Sequence, residues 1–216
     1  MSEVELTISA GRKEPSSFRL IATLVVAALC SGLLLSGAYQ VTKPRIDDNK
    51  RKALRAGVFK VVPGATQIQK LALRDGRLVP VADDEVVTDP VVHAAYDESG
   101  AFLGWAVTGA APGFQDTIRV LFGFDPAERK VTGMDILESR ETPGLGDKIF
   151  KDADFVANFS ALAIDPEIVV VKDGADADNE VDAITGATIS SKAVVKIINQ
   201  ALAEWQDALP KEGPQP

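Results

Sequence analysis

The chain has 216 residues, 46% hydrophobic and 25% charged, which is typical of one globular domain with an additional segment rather than two large domains. Its net charge of −8 gives no basic surface for nucleic acid. One cysteine and one histidine, Cys30 and His93, cannot supply an iron–sulfur cluster, a Cys/His zinc site, a c-type haem or a disulfide framework, so redox chemistry would require an organic cofactor.

The first predicted element is a membrane-spanning helix. Residues 20–42 form a run of 23 positions without a charge, and about 20 apolar residues suffice to cross a bilayer. A cleaved secretory signal ending at Ser36-Gly37-Ala38 is the alternative, but the apolar region of such a signal usually has about 7 to 15 residues. The length therefore favours a retained anchor. Cys30 lies inside this span and is assigned no function.

The charges beside the span give an ambiguous orientation. Three lysines and arginines precede it and seven follow it, which favours a cytoplasmic C-terminal part, although long domains cross membranes largely regardless of charge. Residues 61–216 hold 13 lysines and arginines against 26 carboxylates, so the seven form a separate basic collar. We expect this collar to meet lipid headgroups or a neighbouring protein of a complex. It consists of Lys43, Arg45, Lys50, Arg51, Lys52, Arg55 and Lys60.

Beyond the span the pattern predicts an α+β domain, an antiparallel sheet with flanking helices. Residues 48–61 continue the membrane helix or form a short stalk, which Pro63-Gly64 ends. Strands are predicted at 78–81, 91–96, 102–108, 117–124, 130–137 and 167–172, and the second to fifth of them form two hairpins. Helices are predicted at 152–162 and 190–209.

The most informative stretch runs from Asp182 to Ser191, immediately before the last helix. Gly186 and Ala187 leave the backbone uncrowded around the Thr188 hydroxyl. A helix N-terminus also favours a phosphate, because its N–H groups have no partner within the helix. Helix capping by Thr188, Ser190 or Ser191 explains the same residue types and is the simpler interpretation from this stretch alone.

This stretch resembles the flavinylation motif of the FMN-binding subunits of the Rnf and Nqr respiratory complexes, Asp-x-x-Ser/Thr-Gly-Ala-Thr-x-Ser/Thr. The resemblance implies FMN joined to Thr188 through a phosphoester bond. It also implies a separate Mg²⁺-dependent flavin transferase that uses FAD as the donor, releases AMP and reads Asp182 and Ser190. The residues that fill the motif are Asp182, Thr185, Gly186, Ala187, Thr188 and Ser190.

A second loop carries the same resemblance. Glu141-Thr142-Pro143-Gly144-Leu145-Gly146 is similar to the hallmark loop that lies beside the flavin in this family. Proline and two glycines predict a tight, exposed turn, and an ordinary loop would explain them equally well. Both elements occur in the family order after a single anchor, and the short chain is more similar to the G subunits of Rnf than to the longer Nqr C subunits. The implied cofactor-binding residues are Thr185, Gly186, Ala187, Thr188, Glu141, Thr142, Gly144 and Leu145.

The resemblance implies an electron-carrier subunit of an Rnf-type complex, in which NADH and ferredoxin oxidoreduction is coupled to ion translocation. Its partners would be the other subunits, the flavin transferase and the lipid bilayer, and the chain would supply no catalytic or metal-binding residues of its own. The implied organisation is a cytoplasmic N-terminus and an inner-membrane anchor, followed by a periplasmic FMN-binding domain. This orientation is opposite to the one that the lysines and arginines beside the span favour. The segments are 1–19, the span 20–42, a basic stalk 43–62, the domain 63–209 and a disordered tail 210–216.

Two other functions are left open. A membrane-anchored accessory protein without a cofactor would lose only the stability of a helix cap, about 1 kcal/mol, when Thr188 is replaced by alanine. A stand-alone flavinylated reductase is disfavoured because the sequence has no Gly-x-Gly-x-x-Gly dinucleotide fingerprint.

Several conspicuous residues are expected to be structural. The acidic loop from Asp173 to Asp182 does not fit an EF-hand, because a loop beginning at Asp176 has Val181 where glycine is required. We expect it to be a solvated loop, and we expect His93 to be structural or at the surface. Phe102, Trp105 and Phe114 could pack on an isoalloxazine ring. Because aromatic residues in hairpins are more often core residues, we expect these three to be structural.

Overall fold

The structure is a computed structural model that describes residues 16–172 and 174–214. It divides into two compact units, the first ending at Asn49 and the second beginning at Lys50. Most of the predicted N-terminal segment 1–19 and Asp173 of the acidic loop lie outside the described residues.

One long helix, α1, runs from Ser17 to Val61 over 45 residues. In the first unit its apolar side chains are exposed, and it is the one helix in the described part of the chain that is long and apolar enough to cross a membrane. It fits a single-pass membrane anchor. The stalk predicted at 48–61 is the continuation of this helix, which passes through Pro44 and ends just before Pro63 and Gly64.

The second unit is built on a seven-stranded antiparallel sheet with the order β2-β1-β3-β4-β5-β6-β7. The predicted α+β class and both predicted hairpins, β3–β4 and β5–β6, are confirmed. The strands are β1 (Gln67–Arg74), β2 (Arg77–Pro80), β3 (Val91–Tyr96), β4 (Phe102–Pro112), β5 (Thr117–Asp125), β6 (Lys130–Glu138) and β7 (Leu162–Ala163).

The remaining elements bring the predicted flavinylation motif to the start of a helix. Two short helices, α2 (Lys148–Lys151) and α3 (Ala153–Ala157), follow the hallmark loop. A two-stranded parallel sheet, β8 (Val169–Val171) with β9 (Glu180–Asp182), leads into the long helix α4 (Thr188–Trp205).

The two faces of the large sheet are covered by different helices. On one face α4 contributes Val194, Ile197 and Ile198 to the main core, which also contains Trp105 and Phe122. On the other face the end of α1 forms a smaller core. Its members are Val58, Val61, Val62, Ala95, Ala106 and Leu121. Removal of these apolar groups from water stabilises the packing of α4 on one face and of the end of α1 on the other. The sheet thereby positions the start of α4.

The C-terminal tail, predicted to be disordered over residues 210–216, forms two hydrogen bonds within its described part, and residues 215–216 lie outside the described residues. The indole nitrogen of Trp105 donates to the carbonyl oxygen of Pro210 at 3.0 Å, and the Tyr96 hydroxyl donates to that of Pro214 at 2.9 Å. These two bonds attach residues 210–214 to strands β3 and β4.

The basic collar is partly engaged by the domain itself. Lys50 contacts Glu138 at 2.7 Å, Arg55 contacts Asp83 at 2.9 Å and Lys60 contacts Asp135 at 3.4 Å. The sequence predicts contacts of the collar with lipid or a neighbouring protein, whereas these three cations pair with carboxylates inside the second unit. Exposed ion pairs of this kind contribute about 0.2 to 1 kcal/mol each.

His93 is buried on the face of the sheet that α1 covers. It lies beside Lys70 of β1 and Ala106 of β4 in the strand register, and its Nδ1 atom has no hydrogen-bond partner in the described part of the chain. Burial, and secondarily the charge of Lys70, lowers the pKa of His93 to about 4, while Asp83 acts in the opposite direction. The histidine is therefore a neutral core residue at physiological pH.

We expect acidification to destabilise this domain through His93. The unfolded chain takes up a proton near pH 6.5 and the folded domain only near pH 4, so the free energy of unfolding should fall by about 2 kcal/mol between pH 7 and pH 5. Urea unfolding of the full chain in detergent, followed by the fluorescence of the buried Trp105 and Trp205, measures this loss. His93→Gln does not titrate and should show a smaller loss; equal losses in both proteins would contradict the assignment.

Candidate functional site

The first turn of α4 contains the predicted attachment residue, Thr188. Ala187 is the N-cap, and no side chain caps the helix. Thr188 is half-buried and its hydroxyl forms no hydrogen bond to any described residue. Ser191 binds backbone instead, donating to the Ala187 carbonyl at 3.1 Å and accepting from the Ile184 amide at 3.2 Å. Helix capping therefore does not explain these residues.

The loop before α4 is a tight turn. Gly186 has a φ of +83°, a left-handed conformation that side chains rarely adopt, and the Ala187 amide donates to the Ile184 carbonyl at 2.9 Å. Thr185 and Gly186 are exposed while Ala187 is buried. At the end of β9, one carboxylate oxygen of Asp182 accepts from the Gly174 amide at 3.0 Å. The acidic loop is thus held by its own carboxylates.

The hallmark loop folds around the Thr142 carbonyl, which accepts from the amides of Leu145 and Asp147. Gly144 has a φ of +80°, and its amide donates to Asp147 at 2.7 Å. Lys151 Nζ lies 2.5 Å from the other oxygen of Asp147. The hydrogen bond from Lys151, reinforced by that from Gly144, keeps the pKa of Asp147 below its ordinary value. Asp147 thus holds the loop, a function that the sequence did not indicate.

Glu141 connects the two loops. Its side chain is 5% exposed. One oxygen accepts from the amides of Gln115 at 3.0 Å and Asp116 at 3.5 Å, and the other accepts from the Ser190 hydroxyl at 2.5 Å. Burial by itself would raise the pKa of Glu141, but these hydrogen bonds and the amide of Phe114 outweigh it and lower that pKa. The ionised carboxylate therefore joins the β4–β5 turn and the hallmark loop to α4.

Two glycines make room for this carboxylate. A Cβ atom at Gly146 would lie 2.6 Å from one oxygen of Glu141 and 2.9 Å from the Ser190 hydroxyl. A Cβ atom at Gly113 would lie 2.5 Å from the other oxygen. Only glycine fits at either position, so the backbones of both loops close directly on Glu141.

The structure brings most of the predicted site residues together and turns the side chains of two of them inward. Leu145 is half exposed and its Cδ2 atom would lie 3.5 Å from a Cβ at Gly186, so the hallmark loop contacts the flavinylation loop. Glu141, expected to bind the cofactor, is turned inward. Ser190, expected to be read by the transferase, is 2% exposed and donates to Glu141. The two buried side chains bind each other and so join the hallmark loop to the first turn of α4.

The predicted aromatic residues separate into two groups. Trp105 is fully buried and Phe102 packs edge-on against it with ring centroids 5.2 Å apart, as expected of core residues. Phe114 was expected in the core, but it is exposed on the β4–β5 turn. The next residue, Gln115, accepts a hydrogen bond from the Thr142 hydroxyl at 3.0 Å. The sequence did not indicate that Gln115 belongs to the site.

The arrangement fits a phosphate group at the start of α4. The helix begins without a capping side chain, its dipole favours an anion, and a half-buried hydroxyl stands in its first turn. The described residues contain no group of three or more His, Cys, Asp or Glu side chains arranged to hold a metal ion. Thr188, with the adjoining amides and the exposed Leu145, could therefore hold a phosphorylated organic cofactor.

Comparison with known proteins places these elements in a family. The model of the FMN-binding domain matches residues 113–203, from the β4–β5 turn into α4. The chain is 30% identical to the G subunit of the ion-translocating oxidoreductase complex of Pasteurella multocida, over 91% of this chain and 96% of that protein. It is 35% identical to the G subunit of the Na⁺-translocating ferredoxin:NAD⁺ oxidoreductase complex of Acetobacterium woodii, over 71% and 70% of the two chains.

Solved structures show the same fold. The C subunit of the Na⁺-translocating NADH-quinone reductase of Parabacteroides distasonis is 18% identical, with a TM-score of 0.59 over 76% of this chain and 96% of that one. The Shewanella oneidensis NqrC structure, also 18% identical, gives a TM-score of 0.57 over 77% and 94%. The resemblance of the antiparallel domain to this fold is therefore confirmed.

Proposed function

Because the chain belongs to the family of the G subunits of ion-translocating oxidoreductase complexes, we propose that it is the covalently flavinylated electron carrier of an Rnf-type membrane complex. It carries FMN on Thr188 and passes electrons between neighbouring subunits during NADH and ferredoxin oxidoreduction coupled to ion translocation. The supporting observation is Thr188 itself, a half-buried residue in the first turn of an uncapped helix inside the domain that matches the FMN-binding model.

The chain's own residues position the cofactor. Bound FMN supplies the one- and two-electron chemistry, which no side chain of the domain provides. The start of α4 offers backbone N–H groups and a positive dipole end to the phosphate. Gly186 leaves the approach to Thr188 open, and Leu145 presents an apolar surface beside it. Glu141 and Ser190 hold these loops in register.

The attachment itself is assigned to a flavin transferase. It would transfer FMN from FAD to the Thr188 oxygen with Mg²⁺ and release AMP. Asp182, half-buried at the end of β9, is the motif residue that we propose this enzyme reads. We do not propose that the transferase reads Ser190, because the Ser190 hydroxyl donates to Glu141 in the interior of the site. The other partners are the remaining subunits of the complex and the lipid bilayer.

We expect Thr188→Ala to abolish flavin attachment while leaving the domain folded. The full chain is produced together with its flavin transferase and analysed by intact mass, and the peptide that ends at Lys192 is fragmented to distinguish Thr188 from Thr185. Wild type should gain the mass of one FMN on Thr188, and the variant should gain none. Since the Thr188 hydroxyl makes no hydrogen bond to described residues, the cost in stability should stay below the value for a lost helix cap, about 1 kcal/mol.

Thr188→Ser is the matched control for this experiment. It keeps a hydroxyl at the same position and should restore attachment at least in part. An unmodified wild type in the presence of active transferase would refute the proposal and favour the accessory protein without a cofactor. Copurification with the other subunits separates a carrier within a complex from a stand-alone reductase.

We propose that the second unit lies on the periplasmic side of the bacterial inner membrane. In a Cys30→Ala background, Val86→Cys places one thiol at a side chain that is 96% exposed. A membrane-impermeant maleimide should label it in spheroplasts, because the reagent reaches only the outer side of the inner membrane. The control Ser2→Cys should be labelled only after lysis, and the reverse pattern would place the domain in the cytoplasm.

A further inference from the structure

Three exposed apolar side chains of the domain lie on the β4–β5 turn, the hallmark loop and the first turn of α4. Phe114 is 66% exposed, Ile189 57% and Leu145 50%. Phe114 is the most exposed phenylalanine among the described residues of the domain, whereas Phe122 and Phe124 of the adjoining strand are buried. A large aromatic ring left in water at one site needs an explanation that core packing does not provide.

Phe114 is held in place by the site itself. The Gly113 amide donates to the Asp116 carbonyl at 2.8 Å, which closes the β4–β5 turn. The next residue, Gln115, is bonded through its amide to Glu141 and through its side chain to Thr142. The turn that carries the ring is therefore joined by hydrogen bonds to the hallmark loop.

The same contacts connect the turn that carries Phe114 to the helical turn that carries Thr188. The Glu141 carboxylate accepts from the Gln115 amide at 3.0 Å and from the Ser190 hydroxyl at 2.5 Å, so this one side chain bridges the two donors. Ser190 lies in the same helical turn as Thr188, two positions further on. Leu145 reaches this region from the hallmark loop, next to Gly186. Phe114 and Leu145 are thus exposed apolar side chains on two loops that are joined to the start of α4.

We propose that Phe114 packs against the isoalloxazine ring of the FMN carried on Thr188, with Leu145 bordering the same ring. This inference rests on the proposed function and adds the residue that fixes the ring. A flat aromatic ring fits this occupant, since aromatic pairs favour offset-stacked or edge-on contacts with centroids about 4.5 to 7 Å apart. The contact shields one part of the flavin from water and orients it relative to the protein.

A second location competes for the ring. A groove of about 630 Å³ runs beside α4 and begins at Lys192, one turn beyond Thr188 on the same side of the helix. Val169, Val170 and Val195 line it. Its volume is that of an ordinary small-molecule pocket. Val169, which is 44% exposed, provides a matched test of this alternative.

The test compares Phe114→Ala, Phe114→Tyr and Val169→Ala in the full chain produced with its transferase. The readouts, each normalised to FMN bound by intact mass, are iodide quenching of flavin fluorescence and the circular dichroism of the visible flavin bands. In Phe114→Ala we expect the quenching constant to rise at least about twofold and the circular dichroism to weaken, because the aromatic contact that covers and orients the ring is gone. Phe114→Tyr and Val169→Ala should match wild type.

The possible results separate the two proposals. If wild type and all variants carry one FMN and Phe114→Ala leaves both optical readouts unchanged, Phe114 does not contact the ring. If Val169→Ala produces the change instead, the ring lies in the groove and the inference is overturned. Absence of FMN from wild type, with active transferase present, overturns the proposed function and this inference together.

Discussion

Replacing Glu141 by alanine should both destabilise the domain and reduce flavin attachment. The substitution leaves the amides of Gln115 and Asp116 and the Ser190 hydroxyl without the buried carboxylate that accepts from them. Hydrogen bonds to charged groups contribute about 1.5 to 3 kcal/mol, so we expect a loss of about 3 kcal/mol in the free energy of unfolding. Attachment should decrease because the hallmark loop and the start of α4 no longer share a support. Urea unfolding and intact mass measure the two effects.

A double-mutant cycle isolates the bond between Glu141 and Ser190. Glu141→Ala removes the acceptor and Ser190→Ala removes the donor, so neither single variant can form the bond. The coupling between the two substitutions should be about 1.5 to 3 kcal/mol. Additive losses would show that the 2.5 Å contact contributes nothing of its own and that Glu141 acts only through the β4–β5 turn. Asp154→Asn, on an exposed carboxylate of α3, controls for the general effect of neutralising a charge.

Local sequence patterns predicted the centre of the fold. The strands at 91–96, 117–124 and 130–137 were expected within one residue of their observed ends, because β-branched and aromatic residues alternate there between clear turn signals. The helix formers of residues 48–61 predicted either a continuation of the membrane helix or a short stalk, and the structure has the continuation. Apolar spacing also predicted α4, although the helix begins at Thr188 and ends at Trp205, somewhat earlier at both ends than expected.

Elements that depend on distant partners were missed. Strand β1, Gln67–Arg74, is poor in β-branched residues, and its extended conformation depends on pairing with β2 and β3. The helix expected at 152–162 is instead the short α3, preceded by α2, because Asp152 is extended and caps the Asp154 and Phe155 amides. The pairing of β1 is a tertiary effect that overrides local propensity, whereas the Asp152 cap is a local signal that the apolar spacing of 152–162 concealed.

In the site, too, local motifs were predicted from the sequence whereas contacts between distant residues were not. Both loops were recognised from short motifs, and their tight turns agree with the positive φ of Gly144 and Gly186. Motif membership did not reveal which side chains face inward. Glu141 and Ser190 are 49 positions apart in the chain, and only the folded sheet brings them together. The sequence also favoured a core position for Phe114, because aromatic residues in hairpins are usually core residues, whereas the structure exposes this one.

The largest loss of stability is expected from Gly123→Ala, at the contact between α1 and the sheet. A Cβ atom at Gly123 would overlap the Val61 carbonyl oxygen and the Thr132 hydroxyl, which are themselves hydrogen-bonded at 2.6 Å. The obstacle at Val61 is backbone, so a change of side-chain rotamer cannot relieve it. Overpacking typically costs about 1 to 3 kcal/mol and occasionally more, and because this overlap is with backbone we expect a loss of more than about 3 kcal/mol.

The outcome of Gly123→Ala also tests whether the end of α1 is part of the domain's core. Tryptophan fluorescence of the full chain in detergent reports unfolding of the domain, because Trp105 and Trp205 both lie in it. The control Gly32→Ala, where a Cβ atom meets nothing within 4 Å, should leave the unfolding midpoint unchanged. A Gly123→Ala protein as stable as wild type would mean that α1 detaches from the sheet at little cost. The packing of Val58 and Val61 would then contribute little to the stability of the flavin domain.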